Sequence, residues 1–430
     1  MVQSSILSEA EIDAWRPRPR SLAEAVERWG MAGPRQLAGR FFPMACVALE
    51  VTQRCNLDCT LCYLSDRAEA VHDVPMPELK RRIGKIRSLY GPRTNVQVTG
   101  GDPTLRKPEE LAEVVRTIHA AGMRSALFTN GIKATRALLI RLAEAGLDDV
   151  AFHVDMTQER RGYATEANLN RIREDYLARA NGLGLRVIFN TTVYDGNFAE
   201  VPALARWFRD RAAEIHTASF QIQAETGRGV LGARSDGLTQ AGVMAAVAEG
   251  IGTDLGWGGL QFGHQDCNQG ATVMVAGNRA VAVDRNRWLL NALVPLLTAA
   301  DWTDAASVRR AVARVVALRP WLAPPVLAAL VGIGLRLLPG LISSGGRAHR
   351  LGLFVHNFMD AKRLDRARCE SCIFMTMTGR GPISMCVHNA RRDQHLTADL
   401  PVARALPTKL LKGRAKMLAA RRPAKAEAEG

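Results

Sequence analysis

The sequence predicts an α/β protein, a partial (β/α)6 TIM-type barrel with a C-terminal metal-binding extension. Three observations carry this. Between 44 and about 225, short runs rich in β-branched residues alternate with stretches of 3.6-residue apolar periodicity. Six such strand–helix units follow in series, as expected of a parallel sheet covered by helices. Beyond 225 the alternation fades, and cysteines gather at 267, 369, 372 and 386. A doubly wound open sheet is the alternative, because strand order is not written in a single sequence.

In order along the chain, 1–43 is a polar, Pro- and Arg-rich N-terminal extension with a short helix at 21–29. The strands of the barrel, 44–225, are expected at 46–52, 95–99, 125–129, 149–155, 185–193 and 216–223. Helices are expected near 77–90, 108–121, 135–145, 166–182 and 199–211. A C-terminal region, 226–400, follows. Within it, ATVMVAGNRAVAV (271–283) reads as a hairpin around AGNR. Residues 286–345 are rich in Leu, Ala, Val and Pro, but the longest uncharged stretch, 321–335, has 15 residues. That is short of the roughly 20 needed to span a bilayer. Helices lying on a membrane or lining an apolar channel are one reading, and a plain buried core is the other.

Composition narrows the class. An apolar share of 47% describes a folded protein. Eight cysteines in 430 residues are too sparse for a disulfide-stapled secreted scaffold. Their clustering favours metal ligation in a reducing compartment, and the first residues show no secretory signal. A cytoplasmic protein is expected, peripheral to the membrane in the lipid reading below. The net charge of +15 implies an anionic partner. Part of it lies in a basic tail, 401–430, with eight Lys and Arg against Glu427 and Glu429. Aromatics are not interleaved there, which disfavours nucleic acid.

VTQRCNLDCTLCY places Cys55, Cys59 and Cys62 directly after the first strand, with Tyr63 next. Three thiolates on one short loop can each bind a different iron of a cubane cluster, leaving the fourth iron without a protein ligand. An open iron accepts a chelating ligand, and the amino and carboxylate groups of a methionine suit it. A structural zinc site wants four ligands, usually in two separated pairs.

CNLDCTLCY resembles the signature of the radical S-adenosylmethionine (SAM) superfamily. TGGDPT (99–104) is similar to that family's Gly-Gly-Glu-Pro loop, with Asp102 in the acidic position. The resemblance implies a [4Fe–4S] cluster on Cys55, Cys59 and Cys62, S-adenosylmethionine as its ligand, and a flavodoxin- or ferredoxin-type reductant. It also implies that Gly100, Gly101, Asp102 and Pro103 hold the methionine amino group, with Tyr63 at the same cofactor. Thr129 and Asn130 in LFTNG resemble the family's TNG. His153 and Asp155 alternate with Phe152 and Val154, so both face one side of the fourth strand. With Asn190 and Gln221 on strands five and six, they are candidates to contact cofactor or substrate. The implied chemistry is reductive cleavage of the cofactor to a 5′-deoxyadenosyl radical, which takes hydrogen from an unactivated C–H bond.

Cys46 reads as a small core residue within the first strand. Cys267, Cys369, Cys372 and Cys386 make a second set, suited to an auxiliary iron–sulfur cluster or to one iron or zinc held by four sulfurs. AFHVDMT, FGHQDCNQGATVMVAGN, FMDAKRLDRARCESC and GRGPISMCVHN are similar to the tetraether-lipid synthase group. That likeness covers about 44–283 and 354–395, and it implies coupling of two lipid tails through a carbon–carbon bond. A membrane lipid with an anionic headgroup agrees with the basic charge, and basic residues near a membrane add about 1 kcal/mol each. Two other readings remain. One is a maturase of a ribosomally made peptide, and the other is an iron–sulfur redox sensor without catalysis.

Overall fold

CVALEVT forms β1 (Cys46–Thr52), buried at all seven positions. A strand covered on both faces reads as such an unbroken run. In the computed structural model, described for residues 6–16, 21–64, 71–228, 234–297, 300–301 and 304–400, β1 is an interior strand, third from one end of an 11-stranded sheet. The next five strands are β2 (Asn95–Gly100), β3 (Arg124–Thr129), β4 (Asp149–His153), β5 (Arg186–Val193) and β6 (Ile215–Ile222). These six run parallel in the order 1-2-3-4-5-6. A doubly wound sheet would reverse its order at a switch point, so that alternative is removed.

The sheet is wider than the six strands expected. β7 (Asn268–Ala276) and β8 (Arg279–Ala282) form the hairpin. β9 (His349–Asn357) joins β6 in parallel, and β10 (Phe374–Thr378) joins β1 in parallel. β11 (Gly381–Ser384) caps β10 antiparallel, and β7 caps β9. Eight parallel strands thus stand in the row β10-β1-β2-β3-β4-β5-β6-β9. The segment after 225 completes the same sheet.

Helices Met76–Tyr90, Pro108–Ala120, Arg136–Glu144, Glu166–Ala180 and Val201–Asp210 connect the first six strands. Thr135 and Thr165 cap two of them by accepting from Leu138 N and Asn168 N. Between sheet and helices, Phe152, Phe189, Phe208 and Phe220 are fully buried, with successive ring centroids 5.7–5.9 Å apart. The N-terminal extension is tied to the far end of the chain. Leu7 and Ile12 pack on Leu364 and Val387, and Arg391 pairs with Glu9 and Asp13.

Residues 286–345 are only partly buried: Leu289, Leu293, Leu297, Val315 and Leu322 form a small core, and the last helix stands outside it. The helix Ala323–Ser343 buries Leu337 and Gly340 and leaves most of its apolar surface open. Gly340 seats it on the β7–β8 turn, where a Cβ would lie 2.0 Å from the carbonyl oxygen of Ala276. The basic tail at 401–430 lies outside the described residues.

Candidate active site

The loop after β1 carries Cys55, Cys59 and Cys62, and the ends of four other strands hold it. Asp102 N donates to Arg54 O (2.8 Å), and the Tyr63 hydroxyl donates to Gly100 O (2.6 Å). Thr60 N donates to Thr157 O beyond β4, and Arg228 N, beyond β6, donates to Cys62 O. Asn130 Nδ2, after β3, reaches Asn56 Oδ1 at 2.7 Å and Cys55 Sγ at 3.8 Å. The three thiols feel one another. Burial pushes all three pKa values up, and that of Cys59 is raised further by Cys62, Asp155 and Cys55; Cys62 reaches about 11. Crowded thiolates that are unfavourable alone are what a bound metal cluster relieves. The donor set fits a cluster held by Cys55, Cys59 and Cys62.

The glycines of TGGDPT are there for close approach. A Cβ on Gly101 would sit 2.1 Å from Arg54 O, and Gly100 has φ +126° with its would-be Cβ 2.0 Å from Thr52 O. Asp102 is spent on its own chain. Its carboxylate accepts from Thr104 N and Oγ1, from Thr129 Oγ1 and from Asn130 N. It therefore positions the Thr129–Asn130 turn, and Pro103 opens a buried 3-10 turn behind it.

His153 and Asp155 come together, in different roles. His153 Nε2 lies 2.6 Å from Asp155 Oδ2 and 3.2 Å from Thr192 Oγ1. The His153 side chain keeps a third of its surface open, while Asp155 is wholly buried. Burial opposes charge on His153, but the Asp155 carboxylate outweighs it and the pKa is raised. Burial likewise opposes the Asp155 carboxylate, yet His153, Thr157 and the Thr192 amide bring it down to about 2. Asp155 orients; His153 faces the site.

Register places more of the wall. His153, Asn190, Ser219 and Phe354 are lateral neighbours on β4, β5, β6 and β9, so they share one face. Two residues on along β5, Thr192 stands beside Gln221 and His356. The wall is polar from His153 to Gln221 and aromatic beyond. Phe262, Phe354, His356, Phe358 and Phe374 form a chain of rings, and His356 of β9 meets Phe374 of β10 at 5.2 Å between centroids. Rings therefore bridge the seam where β9 and β10 do not pair. Burial holds the His356 pKa down at about 4, so this wall is uncharged at neutral pH.

The second cysteine set lies at the same seam. Cys267, Cys372 and Cys386 share the lining of one cavity with Phe358 and Phe374. Burial raises the Cys369 thiol, as do Cys386, Cys372 and Cys267; burial also pushes Cys386 up to about 12. Arg368 donates to Cys267 Sγ at 3.1 Å. Among the described residues, no three His, Cys, Asp or Glu side chains are grouped tightly enough to hold one metal ion. His264 and His388 are neighbours of the sites; burial drives the His388 pKa down to about 3. Cys46 is buried in β1, as expected.

The Radical SAM superfamily pattern matches residues 49–208, from within β1 to the helix before β6. This stretch, less than half of the chain, resembles a radical SAM domain. Over 186 residues, the chain is 28% identical to the 7,8-dihydro-6-hydroxymethylpterin dimethyltransferase of Methanocaldococcus jannaschii, covering 42% of this chain and 36% of that one. Over 162 residues it is 31% identical to the PqqA peptide cyclase of Methylobacterium sp. strain 4-46, covering 36% of this chain and 41% of that one. The aligned region thus spans well under half the length of these relatives. Among solved structures, Streptococcus suis SuiB bound to precursor peptide SuiA is 13% identical, covering 53% of this chain and 48% of that chain, with a TM-score of 0.39. The radical SAM domain and its enzyme relatives support a radical SAM enzyme. These relatives' names speak of a pterin and a peptide, and none of them names a tetraether lipid.

Sequence reasoning missed Arg228, Arg392 and the aromatic wall. The wall left a trace, since HRLGLFVHN alternates Leu351, Leu353 and Val355 with Phe354 and His356. The two arginines left none.

Proposed function

We propose that the protein is a radical SAM enzyme that takes hydrogen from an unactivated C–H bond in the alkyl chain of a membrane lipid, and that it couples two such chains. The uncharged aromatic wall, which shares one face of the sheet with His153 through the row His153–Asn190–Ser219–Phe354, carries the substrate reading. A charged or polar substrate would leave its hydrogen bonds unmet there, whereas each methylene buried against the rings contributes roughly 0.8 kcal/mol. When bound, the cluster and S-adenosylmethionine supply a one-electron reduction that yields a hydrogen-abstracting radical.

The residues divide that work. Cys55, Cys59 and Cys62 hold the cluster, and the Gly100–Gly101 backbone, freed of side chains, takes the methionine end. Asp102 and Thr129 fix the turn that carries Asn130. His153, held by Asp155, presents a positively biased imidazole to the polar end of the site. Phe354, His356 and Phe374 exclude water and align the alkyl chain. Cys267, Cys369, Cys372 and Cys386 hold a second cluster beside that wall.

A peptide substrate is the second reading, favoured by the 31% identity to a peptide cyclase. Anaerobic reconstitution followed by lipid mass spectrometry, in hosts with and without the gene, separates the two. New coupled or desaturated alkyl chains are expected. Unchanged lipids beside an altered peptide would replace the lipid reading. A cluster that binds but never cleaves S-adenosylmethionine would leave a redox sensor.

A further inference from the structure

The helix Ala323–Ser343 has two apolar sides and one partner. Leu322, Val326, Ile333 and Leu337 turn toward the body of the protein, where they pack against the β7–β8 hairpin and the helices before it. On the opposite side Leu327, Val331, Leu335, Leu338 and Ile342 recur at spacings of three and four, which makes one stripe along the helix. They are 48–75% exposed, and Leu318 and Trp321 extend the stripe at 74% and 65%. A continuous apolar stripe of this length on a protein surface marks something that covers it.

Charge says what kind of surface that is. From 305 to 348 the chain carries six arginines, all exposed, and no acidic residue. Four of them, Arg309, Arg310, Arg314 and Arg319, lie on or just after the helix Ala305–Leu318; Arg310 also stands 3.6 Å from Asp304. Arg336 and Arg347 flank the far end of the stripe. A second copy docked face to face would bring six arginines against six, with Asp304, already beside Arg310, the nearest acidic residue in sequence. An anionic bilayer meets both features, taking the leucines into the acyl boundary and the arginines at its headgroups. Trp321 suits the level between them. Crossing the bilayer is a poorer fit, because Leu337 and Gly340 stay seated on the hairpin while Arg336 and Pro339 interrupt the run.

We propose that this face docks the protein on the surface of an anionic phospholipid bilayer, with Leu327, Leu335 and Ile342 inserted and the arginines engaging phosphate. The docking does not depend on lipid being the substrate.

Vesicle flotation of the full chain, prepared anaerobically, tests it. Binding is expected to vesicles of phosphatidylcholine with about 30 mol% phosphatidylglycerol, above that to phosphatidylcholine alone, and to weaken with salt. The triple variant L327Q/L335Q/I342Q should bind those vesicles roughly tenfold or more weakly. The three positions are exposed and outside the site, so circular dichroism and S-adenosylmethionine cleavage should be unchanged. Equal flotation of variant and wild type, or no preference for phosphatidylglycerol, overturns the proposal. So does a dimer by light scattering that the triple variant dissolves, since a second copy would then own the face. Product analysis stays separate: vesicle binding alongside an altered peptide would keep the docking and remove the lipid substrate.

Discussion

The Arg392 guanidinium lies 4.5 Å above the ring of Tyr63, the residue that follows the third loop cysteine. The same guanidinium donates to Glu50 Oε1 on β1 at 2.6 Å and to Gln53 at 3.3 Å. A helix near the far end of the chain thus braces the cluster loop from beneath, through a buried ion pair and a cation–π contact.

Removing one partner of that pair should be costly. Arg392→Met leaves the Glu50 carboxylate buried and unanswered, at about 3–5 kcal/mol. The double variant R392M/E50L should recover most of that loss, which urea unfolding at neutral pH would measure. Acid should act through the same carboxylate. Burial opposes its charge, but Arg392 more than offsets this and holds the pKa at about 2, below the ordinary 4.5. The wild-type contribution is therefore complete above pH 4.5 and lost as pH falls toward 2. The double variant should show a shallower acid slope.

The two cysteine sets should separate. Cys59→Ala should abolish 5′-deoxyadenosine formation while leaving iron at the second site. Cys372→Ala should remove roughly half of the bound iron and sulfide, with S-adenosylmethionine cleavage retained. Metal analysis with a single-turnover cleavage assay checks both. Full iron content in Cys372→Ala would mean that the seam cysteines hold no cluster.

His153 should titrate above its ordinary 6.5 in the apo protein, since the Asp155 charge raises it. In Asp155→Asn that charge is gone and burial, the largest influence on the ring, is opposed only by the more distant Glu166, so the pKa should fall. The stabilisation from charged His153 is full below pH 6.5 and fades as pH rises through the raised value. Long-range nitrogen NMR of the ring reads both values.

Gly101→Ala should disable the cofactor loop. Its Cβ would fall within 2.1 Å of Arg54 O, so the loop must back away from the cysteine segment, at a cost of about 1–3 kcal/mol. S-adenosylmethionine binding, followed by calorimetry, should weaken by more than tenfold at this price in stability. Ala at Gly91, where an added Cβ meets no neighbour, would serve as control only for helix-end strain, because its φ is +81°.

Much of the radical SAM domain was legible because its signals are local. The six strand periods, the Cys55–Cys59–Cys62 spacing and the glycines of TGGDPT each lie within a few residues of their partners along the chain. Strand starts and ends agree with the sequence reading to within two residues for all six, as in Cys46–Thr52 and Ile215–Ile222. His153 and Asp155 were expected on one strand, but β4 ends at His153 and Asp155 caps the turn that follows, from where it orients His153.

What the chain alone determined, then, is the chemistry of the mouth: which side chains can hold a cluster and where the backbone must come close. Only the tertiary structure decided that β9 and β10 flank the six strands, that rings from both meet across the seam, and that Arg392 reaches Tyr63. The strand pairings and the Arg392–Tyr63 contact join residues more than a hundred positions apart. Periodicity reports which face of an element is apolar, and it carries no information about which distant element will cover that face.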